Sequence, residues 1–104
     1  MTELHIEPEA DAELEEAAIR YEQNLRGLGM QFLAEMRQRI RDVLETPESF
    51  PRFDDMLDVR CAHAIGRFPH LVVYMVFNDT VHVLAFMHPR QRPGYWVDRV
   101  PRNR

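Results

Sequence analysis

The chain reads as an α+β domain: an N-terminal strand, then an antiparallel two-helix hairpin packed on an antiparallel three-stranded meander. Three observations predict this. Two apolar stripes at three- and four-residue steps fill the first half, the period switches to two after residue 58, and short turn signals separate the segments. With 104 residues it is one domain, 1–104, able to bury roughly 65% of the surface its unfolded chain exposes.

His5-Ile6 and its neighbours predict a short opening strand, stopped by Pro8. Ala10, Leu14, Ala17, Ala18, Tyr21, Leu25 and Leu28 then form one helical stripe. Pro8 sits where a helix start tolerates it, and Glu9, Asp11 and Glu13 suit the positive end of the helix dipole. Glu16–Arg20 and Glu22–Arg26 are i,i+4 pairs for the wet face, and Gly27 is expected to end the helix. A second helix is expected after Gly29, with Phe32, Leu33, Met36, Ile40, Val43 and Leu44 as its stripe and Arg37, Gln38, Arg41 and Asp42 facing water. Thr46-Pro47 closes it, because a residue before proline is pushed out of helical geometry.

Residues 47–57 read as a loop from Pro47, Ser49, Pro51, Asp54 and Asp55. Val59, Cys61, His63 and Ile65 alternate with Arg60, Ala62 and Ala64, which predicts a half-buried strand. Gly66-Arg67-Phe68-Pro69 turns the chain. Leu71 to Phe77 and Val81 to Met87 are apolar on both parities, with Asn78-Asp79 as a tight hairpin between them. One sheet face takes the helical hairpin. The other is expected to leave apolar side chains uncovered, and an exposed face of that kind marks a binding surface.

Charge is unevenly placed. Residues 1–50 carry twelve acids and five arginines, residues 51–104 five acids and eight arginines, within a net charge of -4. An anionic partner would meet the second half, unless the acids merely solvate a helix. All thirteen basic residues are arginine, so no lysine can act as a general base. Cys61 is the only cysteine, which excludes an intrachain disulfide and fits a reducing cytoplasm. The acidic first twenty residues are not expected to act as a signal peptide, and no apolar run approaches the ~20 residues that span a bilayer.

The chemistry concentrates at the end, in His88-Pro89-Arg90-Gln91-Arg92-Pro93-Gly94-Tyr95-Trp96-Val97-Asp98-Arg99. A strand ending in imidazole, guanidinium and aromatic groups delivers the side chains that grip phosphates or anchor protein partners. Together with Ala10, Glu13, Leu14, Ala17, Tyr21 and Glu22, the Gly27-Leu28-Gly29 and Phe32-Leu33 pairing, Pro47 with Phe50-Pro51, Arg60, Phe68-Pro69 and Val73-Tyr74, this end resembles the RelE/ParE toxin superfamily of type II toxin–antitoxin systems. The likeness runs from about Glu9 to Arg99 and lies nearest the ParE-like, or plasmid stabilisation, branch. Each motif is weak alone; their order is specific.

The resemblance implies the toxin of a toxin–antitoxin hetero-oligomer, neutralised by a cognate antitoxin protein. In the ParE branch it inhibits a DNA-handling enzyme of the gyrase type by binding. In the RelE branch it is a ribosome-dependent messenger-RNA endoribonuclease, and a third reading is a non-toxic member that only binds antitoxin. No lysine and an acidic balance favour the ParE branch. The expected target- or partner-binding residues are Arg60, Arg67, His88, Arg90, Arg92, Tyr95 and Trp96. Under the nuclease alternative His88 is the base, Arg90 and Arg92 hold the phosphate, and Tyr95 donates a proton. The competing structural roles are plain: His88 and Tyr95 bonding the following turn, Trp96 packed on the sheet, and Arg60 and Arg67 solvated. No cofactor and no metal are expected, because His82 and His88 stand about 20 Å apart along one strand and nothing completes His63 and His70. Met30, Met36, Met75 and Met87 fall on apolar positions, as core or adaptable contact surface.

Overall fold

The computed structural model describes residues 2–54 and 58–101. Along the chain run β1 (Glu3–Ile6), α1 (Pro8–Asn24), α2 (Leu28–Glu45), β2 (Arg52–Asp54), β3 (Val59–His63), β4 (Leu71–Phe77), β5 (Thr80–Met87) and a 3-10 turn at Val97–Arg99. The expected meander of β3, β4 and β5 is present, but it is the centre of a five-stranded mixed sheet in the order β1-β5-β4-β3-β2. β1 pairs parallel to β5, with His5 beside His82. β2 falls in the segment expected to be a loop and pairs antiparallel to β3; residues 55–57 of that segment lie outside the described residues. Asn78 and Asp79 take φ of 53° and 58°, the left-handed pair that a two-residue hairpin matching strand twist requires.

α1 buries Ala10, Leu14, Ala17 and Ala18, and α2 buries Phe32, Met36, Ile40 and Val43. Leu25 does not join the stripe; α1 stops at Asn24 and Leu25 is 57% exposed. Gly27 is left-handed as expected (φ 88°), yet it belongs to the connection and immediately precedes α2. Gly29 lies inside the first turn of α2, where a Cβ would stand 2.5 Å from the Ala18 carbonyl oxygen, so only glycine lets the helices approach this closely. Glu22, rather than remaining a wet-face partner of Arg26, accepts the Gly27 and Gly29 N–H groups at 2.9 and 3.0 Å. The carboxylate thereby satisfies otherwise unbonded donors and sits at the positive end of α2.

β4 and β5 are apolar on both parities because both faces of the sheet are buried, and β5 also carries a bulge. Val73 pairs with Ala85 but Tyr74 pairs with Val83, so Leu84 is skipped. Val81 and Val83 therefore face the helices with Val72 and Tyr74, Leu84 and Ala85 both face the other way, and Phe86 returns to the helix side. β3 ends at His63, which is exposed, and Ile65 beyond it is 63% exposed, whereas Ala62 is buried under the helices. The half-buried alternation expected through Ile65 thus holds only at Val59 and Cys61.

The uncovered sheet face is the larger correction. Val59, Cys61, Leu71, Val73, Leu84, Ala85 and Met87 form a second core, closed by Trp96 with Phe53, Tyr95 and Val100 packed around it. The chain covers this face with its own C-terminal segment, and Phe53 of the edge strand β2 packs beside it.

Candidate functional site

β1 stops at Ile6, opposite Val83, while β5 continues to Met87. The final residues of β5 therefore lack a strand partner on that side, and side chains take the place of one. Glu13 of α1 accepts the Phe86 N–H at 3.2 Å, and Arg99 donates to the Leu84 carbonyl at 2.9 Å. Glu13 and Arg99 pair at 3.2 Å, and the Tyr95 hydroxyl donates to the other Glu13 oxygen at 2.7 Å. The Arg99 guanidinium also lies over the Tyr95 ring, 5.1 Å from its centre. Burial, and then the Glu13 carboxylate, push the Tyr95 phenol well above its ordinary range. This lock of helix, sheet edge and tail holds the turn that Gly94 makes at φ 86° and seats Trp96 beneath it.

Two of the residues expected to bind a target are thereby committed elsewhere. Trp96 is 1% exposed, its indole 5.5 Å from the Phe53 ring and nearly perpendicular to it, so it is not a surface anchor in this conformation. Tyr95 spends its proton on Glu13. Arg60 is also occupied: it lies on β3 opposite Tyr74 and donates to the Phe50 carbonyl at 2.7 Å. Tyr74 bonds the Pro47 carbonyl from the next strand, and burial first of all raises its phenol to about 12. Arg60 and Tyr74 together hold the 46–51 segment against the sheet.

Arg67, Arg90 and Arg92 are exposed. β4 begins where β5 ends, Leu71 opposite Met87, so the 64–70 turn and residues 88–92 share one end of the sheet. His88 lies between them. Its Nδ1 accepts the Arg90 N–H at 3.0 Å, and its own N–H donates to the Gln91 side chain at 2.8 Å, which shapes the turn that presents Arg90.

Beside this end, α1 and the exit of β5 enclose a groove of about 540 Å³ lined by Glu16, Arg20, Tyr21, His70, His88 and Arg90, among others. His70 is buried, with no hydrogen-bond partner at Nδ1 among the described residues. Its ring centre is 4.8 Å from that of Phe32 and 5.2 Å from that of His88. Burial, then the charges of His88 and Arg20, lower its pKa to about 4. It is a neutral imidazole in an aromatic cluster with Tyr21, Phe32 and Phe68. A second groove, about 500 Å³ and mainly apolar, runs along the outside of the helical hairpin over Leu14, Ala18, Ile19, Met30 and Leu33. Asp11, Glu15, Glu22 and Arg37 rim it. Neither groove is marked in the sequence by a motif. Ile19 and Met30, apolar residues that fall outside the two helical stripes, are the sequence signal that could have located the second.

No family model and no curated protein matches the sequence. The fold does find a counterpart: a solved chain described as "Chromosomal ParDE TA system from P. aeruginosa" superposes with a TM-score of 0.75. The match spans 85% of this chain and 96% of that one, at 14% sequence identity. The chain has that protein's fold.

Proposed function

We propose that this chain is the toxin of a type II toxin–antitoxin pair, of the ParE-like kind, which inhibits a gyrase-type enzyme by binding and is neutralised by a small antitoxin. The ParDE-type fold carries the reading. Further support comes from the exposed Arg67, Arg90 and Arg92 at one sheet end, none of which joins an ion pair among the described residues. Guanidinium forks left free in this way suit recognition of an acidic protein surface. Tyr95, held by Glu13 with its phenol pKa raised, is poorly placed to donate a proton to a leaving group, which weighs against the nuclease alternative.

The antitoxin is assigned to the outer groove of the helical hairpin. Ile19 and Met30 there leave more than half their surface in water. With an acidic rim, the groove suits an apolar segment flanked by basic residues. The sheet face, covered by the tail, is not needed for it.

Induction of the chain without antitoxin should arrest growth with a DNA-damage response, and the purified chain should inhibit supercoiling by gyrase. Replacing both Arg90 and Arg92 with alanine should abolish these effects and leave antitoxin binding intact. Codon-specific cleavage of messenger RNA on ribosomes, with gyrase unaffected, would establish the endoribonuclease instead. Antitoxin binding without growth arrest would establish the non-toxic binder.

A further inference from the structure

We propose that His5, His82 and Glu7 form a binding site for a divalent transition-metal ion, zinc being the best match, where β1 joins β5. His5 and His82 are direct neighbours across the parallel ladder. Because Ile6 packs toward the helices with Val81 and Val83, His5 and His82 both project from the opposite face. Their ring centres are 5.4 Å apart with the planes 62° apart. Two imidazoles on one tetrahedral zinc, with bonds of about 2.0–2.1 Å, have centres about 5 Å apart. Glu7, the first residue after β1, turns its carboxylate back so that Oε2 lies 3.2 Å from His5 Nε2. One ligand atom from each of the three residues lies within 4.8 Å of the others.

Two further features favour a cation over a simple histidine–carboxylate hydrogen bond. His82 Nδ1 is buried and has no hydrogen-bond partner among the described residues, an unsatisfied state for a buried nitrogen that a bonded ligand would relieve. His5 is exposed and Glu7 follows the last strand residue, so small torsions can draw the donors together without moving the sheet. Two imidazoles and one carboxylate select zinc, cobalt or nickel over magnesium or calcium, which prefer oxygen alone. Three protein ligands leave a fourth position for water. The sequence hid this set because its two histidines are 77 positions apart and meet only through the parallel pairing of β1 with β5. A bound ion would pin the edge strand and the start of α1 to β5.

The test titrates untagged full-length protein with zinc, reads affinity by competition with a chromophoric chelator, and repeats the titration with cobalt for its absorption spectrum. One zinc per chain, a tetrahedral cobalt band, and a raised melting temperature with zinc are expected. His5→Gln, His82→Gln and Glu7→Gln should each weaken zinc by ~10-fold or more, whereas His63→Gln on β3 should not. The metal-free variants are checked by circular dichroism, and the exposure of His5 makes His5→Gln the variant least able to disturb the fold. The proposal is overturned if the wild-type chain binds no zinc in the micromolar range, or if His5→Gln binds as tightly as wild type.

Discussion

Glu13→Ala should loosen the C-terminal tail before it unfolds the domain. The carboxylate accepts from Phe86 N–H at 3.2 Å and from the Tyr95 hydroxyl at 2.7 Å, and pairs with Arg99 at 3.2 Å. Each bond to a charged group contributes ~1.5–3 kcal/mol, but the three share one side chain and do not add. Arg99 keeps its bond to the Leu84 carbonyl, and its side chain retains 15% exposure, so part of its desolvation is relieved by water when Glu13 is gone. The net loss expected is ~3 kcal/mol, a large share of the ~5–15 kcal/mol that holds a domain of this size. Glu13→Gln, which keeps an acceptor but not the charge, should lose about half as much. Urea denaturation followed by circular dichroism measures the total. Trp96, the only tryptophan and 1% exposed, reports the tail separately. Its emission should move to the red in Glu13→Ala at urea concentrations where the helical signal is still native. A variant within ~0.5 kcal/mol of wild type, with unshifted emission, would refute the reasoning that this carboxylate seats the tail.

Other expectations follow from the same geometry. The His70 pKa is lowered to about 4, against ~6.5 in the unfolded chain, so its neutral form stabilises the fold fully above pH 6.5. Protonation of the unfolded state should then erode stability as pH falls from 6.5 towards 4, by at most ~1.4 kcal/mol per pH unit and ~3 kcal/mol in all; a His70→Phe variant should show a flatter profile over that window. Gly29→Ala places a Cβ 2.5 Å from the Ala18 carbonyl and should cost ~1–3 kcal/mol in chemical denaturation despite alanine's better helix propensity. Arg90→Ala with Arg92→Ala should leave the urea midpoint within the error of wild type, because both side chains are exposed, so that any loss of growth inhibition reads as loss of contact.

The parts of the fold legible in the sequence were those set by local pattern. The helical stripes, the Thr46-Pro47 stop and the Asn78-Asp79 hairpin need only neighbours within a few residues. β2 was not legible: Arg52–Asp54 has no strand pattern of its own and pairs because β3 offers an open edge. The second apolar sheet face was legible, but its cover was not: Trp96, Tyr95 and Val100 reach it from beyond β5, and no pattern within the strands shows that the tail folds back on them. The same applies to the candidate site. His88, Arg90 and Arg92 stand together by sequence alone, and chain topology brings Arg67 to their end. The roles of Glu13 and Arg99 depended on where β1 stops relative to β5, which no spacing along the chain encodes.

That dependence sorts the arginines by role and bears on mechanism. Arg99, Arg60 and Arg39 each donate to a main-chain carbonyl, of Leu84, Phe50 and His63 respectively. Guanidinium suits this work because it remains charged when partly buried and offers several donors in a fixed plane. These three cations thus each hold a main-chain carbonyl as part of the fold. Among the described residues, the exposed Arg67, Arg90 and Arg92 join no ion pair. They stand beside His88, whose Nδ1 is taken by the Arg90 N–H, and at a distance in role from Tyr95, whose proton faces Glu13. Cations with no ion-pair partner among the described residues, next to acid–base groups bonded within the chain, are the basis for proposing that this surface holds an anionic partner. Moving a proton on that partner would require His88 or Tyr95 to give up bonds that maintain the turn and the tail. On the proposed reading, such an arrangement serves binding rather than cleavage.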